Sequence, residues 1–295
     1  MTETLDVEAE VRRETKRLRW TTAKGQNSHP SKWLETLVGV LLVALMLFPV
    51  YWMVNVSLQP TARPSLVEIF PSSPSLDGYI SAFEQQGSNL RTSLLVAVGT
   101  VILSLLIAIP ASYALSRLRW RIASTALLLV LISQMIPSII IANAVYGMYV
   151  NLGLLNSIPG LILADASLGI PFAILITTAA MRGVPRDLYD AATVDGAGQL
   201  RILVRIAVPV ARNGIITAAL FVFLFAWGDF LFALTLTTSP EVRPVTLGLY
   251  TYIGSYVNDW STVMATAVLA SIPALLLLVI AQRFIAAGTT TGSLK

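Results

Sequence analysis

Asp190-Ala191-Ala192-Thr193-Val194-Asp195-Gly196, continuing through Arg201 and Arg205 to Ile206-Ala207-Val208-Pro209, is a polar stretch between two uncharged apolar runs, residues 166–181 and 213–228. A helix needs about 20 predominantly apolar residues to cross the hydrocarbon core of a bilayer. Runs of that size recur along the chain: residues 37–58, 92–116 and 122–164 carry no charge, and neither do residues 260–282. The run 122–164 is too long for one span, and Asn151-Leu152-Gly153 followed by Asn156-Ser157-Ile158-Pro159 divides it. The stretch around 190–209 is thereby read as an aqueous-side segment of an all-α polytopic membrane protein.

Composition agrees with this reading. The 295 residues are 55% hydrophobic and only 12% charged, which is not a soluble composition. A net charge of +4 would fit a nucleic-acid partner, but membrane topology accounts for it better. The absence of cysteine rules out disulfides and thiolate metal sites. The single histidine, His29, stands beside Pro30 with no second ligand near it, so no metal site is expected. An intramembrane enzyme would need a paired acid set, a Ser/His pair or a metal cluster inside the bilayer, and the sequence offers none of them. A scaffold role is the other alternative, and it predicts no consequence from altering residues 190–196.

Six transmembrane helices are expected, at about 34–58, 89–116, 122–146, 159–181, 213–236 and 260–282. Residues 1–33 form a polar tail, residues 34–282 the membrane domain with its polar segment at 182–212, and residues 283–295 a second tail. The length of the first tail and the lack of a small-residue cleavage site after the first apolar run argue against a cleaved signal peptide. Pro60, Pro64, Pro71 and Pro74 mark residues 59–88 as an outer loop, and 237–259 reads as another. Pro137 falls inside the third expected helix and Pro171 inside the fourth.

Basic residues accumulate on the cytoplasmic side of membrane proteins. With the N-terminus inside, 17 of the 20 Lys and Arg fall inside, and only Arg63, Arg91 and Arg243 fall outside. Both termini and the 182–212 segment are therefore expected to be cytoplasmic, in the cell membrane. Trp33, Trp120 and Trp260 lie near helix ends as interfacial anchors.

Within 182–212 the pattern suggests two short helices meeting at Gly196. Asp187, Leu188, Ala191, Ala192 and Asp195 share a face at helical spacing, and the two alanines make it thin enough to enter a cleft. Gly196 is expected where a side chain would clash. Arg201 and Arg205 suit the lipid headgroups, and Pro209 is expected to end the element. The residues alone leave two readings open: an amphipathic linker lying on the membrane surface, or a segment that docks a partner.

The spacing resembles the EAA motif of ABC-importer permeases: Glu-Ala-Ala, three residues, Gly, nine residues, Ile-x-Leu-Pro. Here it reads Asp190-Ala191-Ala192, Gly196, then Ile206-Ala207-Val208-Pro209, with every gap matched and with Asp for Glu and Val for Leu. Leu152-Gly153-Leu154-Leu155-Asn156, Pro171-Phe172 and Trp227-Gly228-Asp229-Phe230-Leu231-Phe232-Ala233-Leu234 are similar to the carbohydrate-type permeases. Gln282-Arg283-Phe284-Ile285, with Gly288 and Gly292 to Lys295 after it, is similar to the tail of the MalG-like half.

The resemblance implies a permease subunit working with a MalF-like second permease, an ABC ATPase dimer and an extracytoplasmic solute-binding protein, in contact with membrane lipid. No GxxxxGK[ST] loop is present, so ATP and Mg belong to the partner ATPase and this chain binds no cofactor. Asp190, Ala191, Ala192, Asp195, Gly196, Ile206 and Pro209 would then form the coupling helix and its continuation, and Gly288, Gly292 and Lys295 a tail contact with the ATPase. Charge at membrane depth is a functional hypothesis by default, which singles out Asp229, with Trp227 beside it to stack on a sugar. Gln134 and Asn143 are further pathway candidates, with helix–helix hydrogen bonding as their alternative. Asp165 is expected near the outer interface and hydrated. Relatives of this type import sugars, oligosaccharides and glycerol-phosphate compounds. A phosphorylated substrate would favour basic residues in the cavity, and the uncharged runs contain none, which points toward a neutral sugar.

Overall fold

A computed structural model describes residues 32–60, 68–255 and 259–290. His29, Gly292 and Lys295 lie outside the described residues. The chain divides into two compact units, Met1–Trp52 and Met53–Lys295. The described part of the first unit is residues 32–52 of α1 (Lys32–Ser57), which continues through Pro49 and stacks Phe48 on Trp52 at 5.9 Å between ring centroids.

Among its described residues the regular structure of the second unit is all helical. It contains α2 (Asp77–Arg117), α3 (Trp120–Ser133), α4 (Ser138–Leu152), α5 (Ile158–Arg182), α6 (Arg186–Val194) and α7 (Gln199–Ile202). A π-turn, Leu203–Ala207, leads into α8 (Val208–Val210). Then come α9 (Arg212–Trp227), α10 (Leu231–Leu236), α11 (Val245–Ser255) and α12 (Trp260–Thr290). By length and composition α1, α2, α5 and α12 are each able to cross a membrane, and two bent pairs raise the number to as many as six.

The pair α2 and α5 forms the centre, with α9 against both and α12 against α2 and α9. Small residues line these contacts. Ala97, Ala108, Ala173 and Ala218 are fully buried, and a Cβ on Gly214 of α9 would collide with Ala180 of α5. Close approach of backbones through small side chains is how helices gain contact when lipid removes the hydrophobic drive between them.

Several expected elements have different limits. The second helix starts at Asp77 rather than near residue 89, because the prolines stop at Pro74 and the Ser75 hydroxyl accepts from the Asp77 N–H at 3.0 Å. Arg91 consequently lies inside that helix, exposed. The third expected helix is broken: α3 ends at Ser133, Pro137 caps α4 in extended conformation, and the two helices are bent by 84°. Proline denies a backbone donor and disfavours helical geometry at the residue before it. The fifth is also interrupted, at Gly228-Asp229-Phe230, between α9 and α10. Within 237–259 lies a further helix, α11, packed on α2 and α12, and its Val245 N–H donates to the Ser93 hydroxyl at 2.8 Å. The last helix continues past residue 282 to Thr290, taking in Gly288.

Asn156, in the turn between α4 and α5, ties that end of the unit together. It holds φ at +53°, and its side-chain oxygen accepts from the N–H groups of Thr238 at 2.6 Å and Ser239 at 2.8 Å. The similarity in Leu152–Asn156 thus ends on a residue that clamps the loop after α10.

Candidate functional site

The 182–212 segment is folded onto the ends of α2, α5 and α9. Tyr113, Met181, Val184, Tyr189, Ala192, Ile202, Leu203, Ala207, Ala211 and Ile215 form one buried cluster there. Helix α6 offers Tyr189 and Ala192, three residues apart, to this cluster. Asp187, Asp190, Ala191 and Val194 recur at helical spacing on the opposite, exposed face, flanked by Leu188 and Asp195. The expected two-alanine outer face is therefore half present. Ala191 points out, while Ala192 is 9% exposed and packs inward, because consecutive helical residues cannot share a face.

Gly196 holds φ at +76°. Its N–H donates to the Thr193 carbonyl at 3.0 Å and the next N–H, of Ala197, reaches the Ala192 carbonyl at 2.9 Å. This pair of bonds is a Schellman ending. A Cβ at Gly196 would meet nothing within 4 Å, so the glycine serves the left-handed backbone and not a tight space, contrary to the expectation of a clash. Pro209 does not end its element. The chain widens into the π-turn at Leu203–Ala207, just ahead of Pro209, which has no N–H to give, and turns only at Ala211. The bend there between Gln199–Val210 and α9 is 80°. Ile206 is half-buried on the cluster, and Pro209 is exposed.

Four residues not singled out by the sequence lock α6 in place. The Tyr113 hydroxyl donates to the Gln199 side-chain oxygen at 2.9 Å and accepts from Arg117 at 3.2 Å. The Arg117 guanidinium lies 4.7 Å from the centre of the Tyr189 ring, and Tyr189 meets Tyr113 edge-on at 6.0 Å. Burial raises the Tyr189 hydroxyl above its usual pKa, Tyr113 adds to the effect, and Arg117 opposes it. This hydroxyl stays protonated and has no hydrogen-bond partner among the described residues. The one available signal was the placement of Arg117 and Tyr113 four residues apart at the end of an apolar run.

The expected pathway residues do not converge. Gln134 donates to the Leu168 carbonyl at 3.3 Å, and its buried side-chain oxygen has no partner among the described residues. It lines a cavity of about 600 Å³ at the α3–α4 bend with Phe172, Phe221 and Phe225. Asn143 is exposed and bonds to its own helix, at the Ile139 carbonyl. Trp227 is 8% exposed, stacks on Phe223, and donates its indole N–H to the Ala270 carbonyl at 2.9 Å, so the expected free sugar-stacking face is not present in this chain. The Asp229 carboxylate accepts from the N–H groups of Phe232 and Ala233, at 3.4 and 3.1 Å, and so holds the first turn of α10. Asp165 is 1% exposed, between helices and not hydrated at an interface as expected.

A model of the family described as binding-protein-dependent transport system inner membrane component matches residues 101–291. The chain is 32% identical to the sulfoquinovosyl glycerol transport system permease protein SmoH of Agrobacterium fabrum, over 93% of this chain and 98% of the relative. It is 31% identical to the trehalose transport system permease protein SugB of Mycobacterium tuberculosis, over 88% and 96%. Its fold matches a chain of a bacterial ABC transporter involved in import of the acidic polysaccharide alginate with a TM-score of 0.71, over 87% of this chain and 98% of that one, at 20% identity. The matched region takes in more than half of the chain, including the polar segment and its Tyr113–Gln199 lock, and on that ground the chain belongs to the binding-protein-dependent transport system inner membrane component family.

Proposed function

We propose that this chain is the MalG-like permease half of an ATP-driven importer of a sugar or oligosaccharide, and that α6 couples it to the ATPase. In this reading six spans cross the membrane, with both termini and the 182–212 segment in the cytoplasm. A MalF-like permease, two ATPase subunits carrying ATP and Mg, and an extracytoplasmic solute-binding protein complete the assembly. The observation that carries the reading is the two-sided build of α6. Its inner face is locked to the ends of α2, α5 and α9, and its outer face, with Leu188 43% and Val194 88% exposed, is open. A helix clamped on one side and bare on the other passes displacement from a partner into the bundle, and closure of the ATPase dimer is the displacement it would pass.

The sugar assignment rests on what the relatives' names say they carry, trehalose and sulfoquinovosyl glycerol. A glycerol-phosphate or other polyol substrate is the alternative, and ligand thermal-shift screening of the binding protein encoded beside this permease separates the two. The coupling role is tested by Gly196→Trp. A side chain at positive φ costs about 1 kcal/mol and loosens the Schellman ending, so uptake and ATPase association should both fall. Normal uptake by a variant that reaches the membrane would falsify the coupling role.

A further inference from the structure

Beside the lock, and sharing two of its residues, lies a cavity of about 470 Å³ lined by Ser116, Arg117, Leu118, Trp120, Met181, Arg182, Val184, Arg186, Tyr189 and Asp190. Three arginines face it against a single carboxylate. They come from three places: the last turn of α2, the last turn of α5, and the start of α6. Arg182 lies over the Trp120 ring at 5.0 Å, and among the described residues neither Arg182 nor Arg186 forms an ion pair. Next to the cavity α3 begins, and on the side of the helix that carries Trp120 the side chains of Trp120, Leu128 and Leu131 are all more than half exposed.

A basic pocket at the end of membrane helices, opening onto an exposed apolar helix face, has the chemistry of a phospholipid site. We propose that this cavity binds the phosphate of an anionic phospholipid, held by Arg182 and Arg186 with help from Arg117, while the acyl chains lie along α3. The continuity of the charged cavity, through Trp120, with the exposed side of α3 favours a lipid over a soluble anion, since an anion alone leaves Leu128 and Leu131 unused. Arg117 already grips Tyr113 and Tyr189, so a bound phosphate would draw on the cation that fixes α6. The lipid is thereby placed to act on the joint between the bundle and α6. This inference rests on the proposal that the 182–212 segment lies at the membrane edge, but its test does not need the ATPase to be coupled.

The test is lipid titration of the assembled transporter in a neutral detergent, read by native mass spectrometry, with phosphatidylglycerol, phosphatidylcholine of the same chains, and inorganic phosphate as the three probes. Phosphatidylglycerol should bind more tightly than phosphatidylcholine. Losing two surface-proximal cations in Arg182→Gln/Arg186→Gln should weaken phosphatidylglycerol about tenfold or more. Arg182→Lys/Arg186→Lys, which keeps the charge, should retain most of the preference and serves should the glutamine pair fail to assemble. Equal binding of the two lipids by the unaltered transporter overturns the proposal, as does an unchanged preference in the glutamine variant. Inorganic phosphate binding as tightly as the lipid, and competing with it, assigns the cavity to a free anion and overturns it as well. Failure here alongside lost uptake in Gly196→Trp removes the lipid and leaves coupling standing. Lipid preference retained alongside normal uptake in that variant does the reverse.

Discussion

At the scale of single residues, the placement of the hydrogen bonds separates structural from coupling duties. The Tyr113 hydroxyl bridges Arg117 and Gln199, two groups from either side of α6 in sequence. A neutral hydrogen bond contributes about 1 kcal/mol, so Tyr113→Phe and Gln199→Ala should each lower thermal stability by that order. If they report the same bond, the double variant should lose scarcely more than one single variant, and additive losses would show that they act separately. Asp229 gives a second residue-scale prediction. Since its carboxylate serves the N–H groups of Phe232 and Ala233, Asp229→Ala should destabilise by about 1 kcal/mol, as the loss of a helix-start acceptor does. Asp229→Asn should recover most of that loss, and neither change should alter which solute is taken up. A change of preferred solute in the asparagine variant would return Asp229 to the translocation pathway.

At the scale of elements, the apolar runs made the helical fold legible, and the Gly196 turn was legible from one glycine in a polar stretch. The breaks were harder to read, and proline alone does not explain them. Pro49, Pro110, Pro171 and Pro273 all lie within continuous helices, whereas Pro137 separates α3 from α4. A proline kinks or breaks a helix according to what else satisfies the freed groups. At 134–137 the Gln134 amide reaches across to Leu168, a contact with no trace in local sequence. The same holds for the candidate site. The EAA-like spacing marked α6, but which side of α6 faces inward depended on Tyr113, 76 residues before Tyr189, and no periodicity within the segment encodes that partner. Burial of Asp165 and Trp227 was likewise set by helices distant in sequence. The α5–α9 contact supplies the prediction at this scale. Gly214→Leu places a branched side chain where a single Cβ already collides with Ala180. Overpacking of this kind costs about 1–3 kcal/mol, so the variant should melt earlier, and Ala180→Gly should recover part of the loss. An unshifted melting transition would mean that the helices separate there without penalty.

At the scale of the whole molecule, the charge asymmetry and the fold make one joint claim about sidedness, and the absence of cysteine makes it unusually direct to check. Arg119, exposed in the turn between α2 and α3, belongs to the end of the unit that bears α6. Glu241, exposed in the 3₁₀ turn after α10, is at the end clamped by Asn156, whose side chain holds the neighbouring Thr238 and Ser239. Basic residues set orientation because they resist translocation, and 17 of 20 fall on the Arg119 side when the N-terminus is inside. Arg119→Cys and Glu241→Cys, each the sole thiol in its chain, should therefore label with a membrane-impermeant maleimide from opposite faces. Glu241→Cys should react in intact cells, and Arg119→Cys only in inverted vesicles or after permeabilisation. Labelling of both from the same face would contradict an odd number of crossings between residues 119 and 241. One of the two bent pairs, α3–α4 or residues 199–210 with α9, would then return the chain to the face it came from, and five crossings would replace six. The number of crossings thus turns on the 84° break at Gln134–Pro137 and the 80° bend before α9, and the two thiols decide whether both sit within spans or one of them returns the chain to the face it came from.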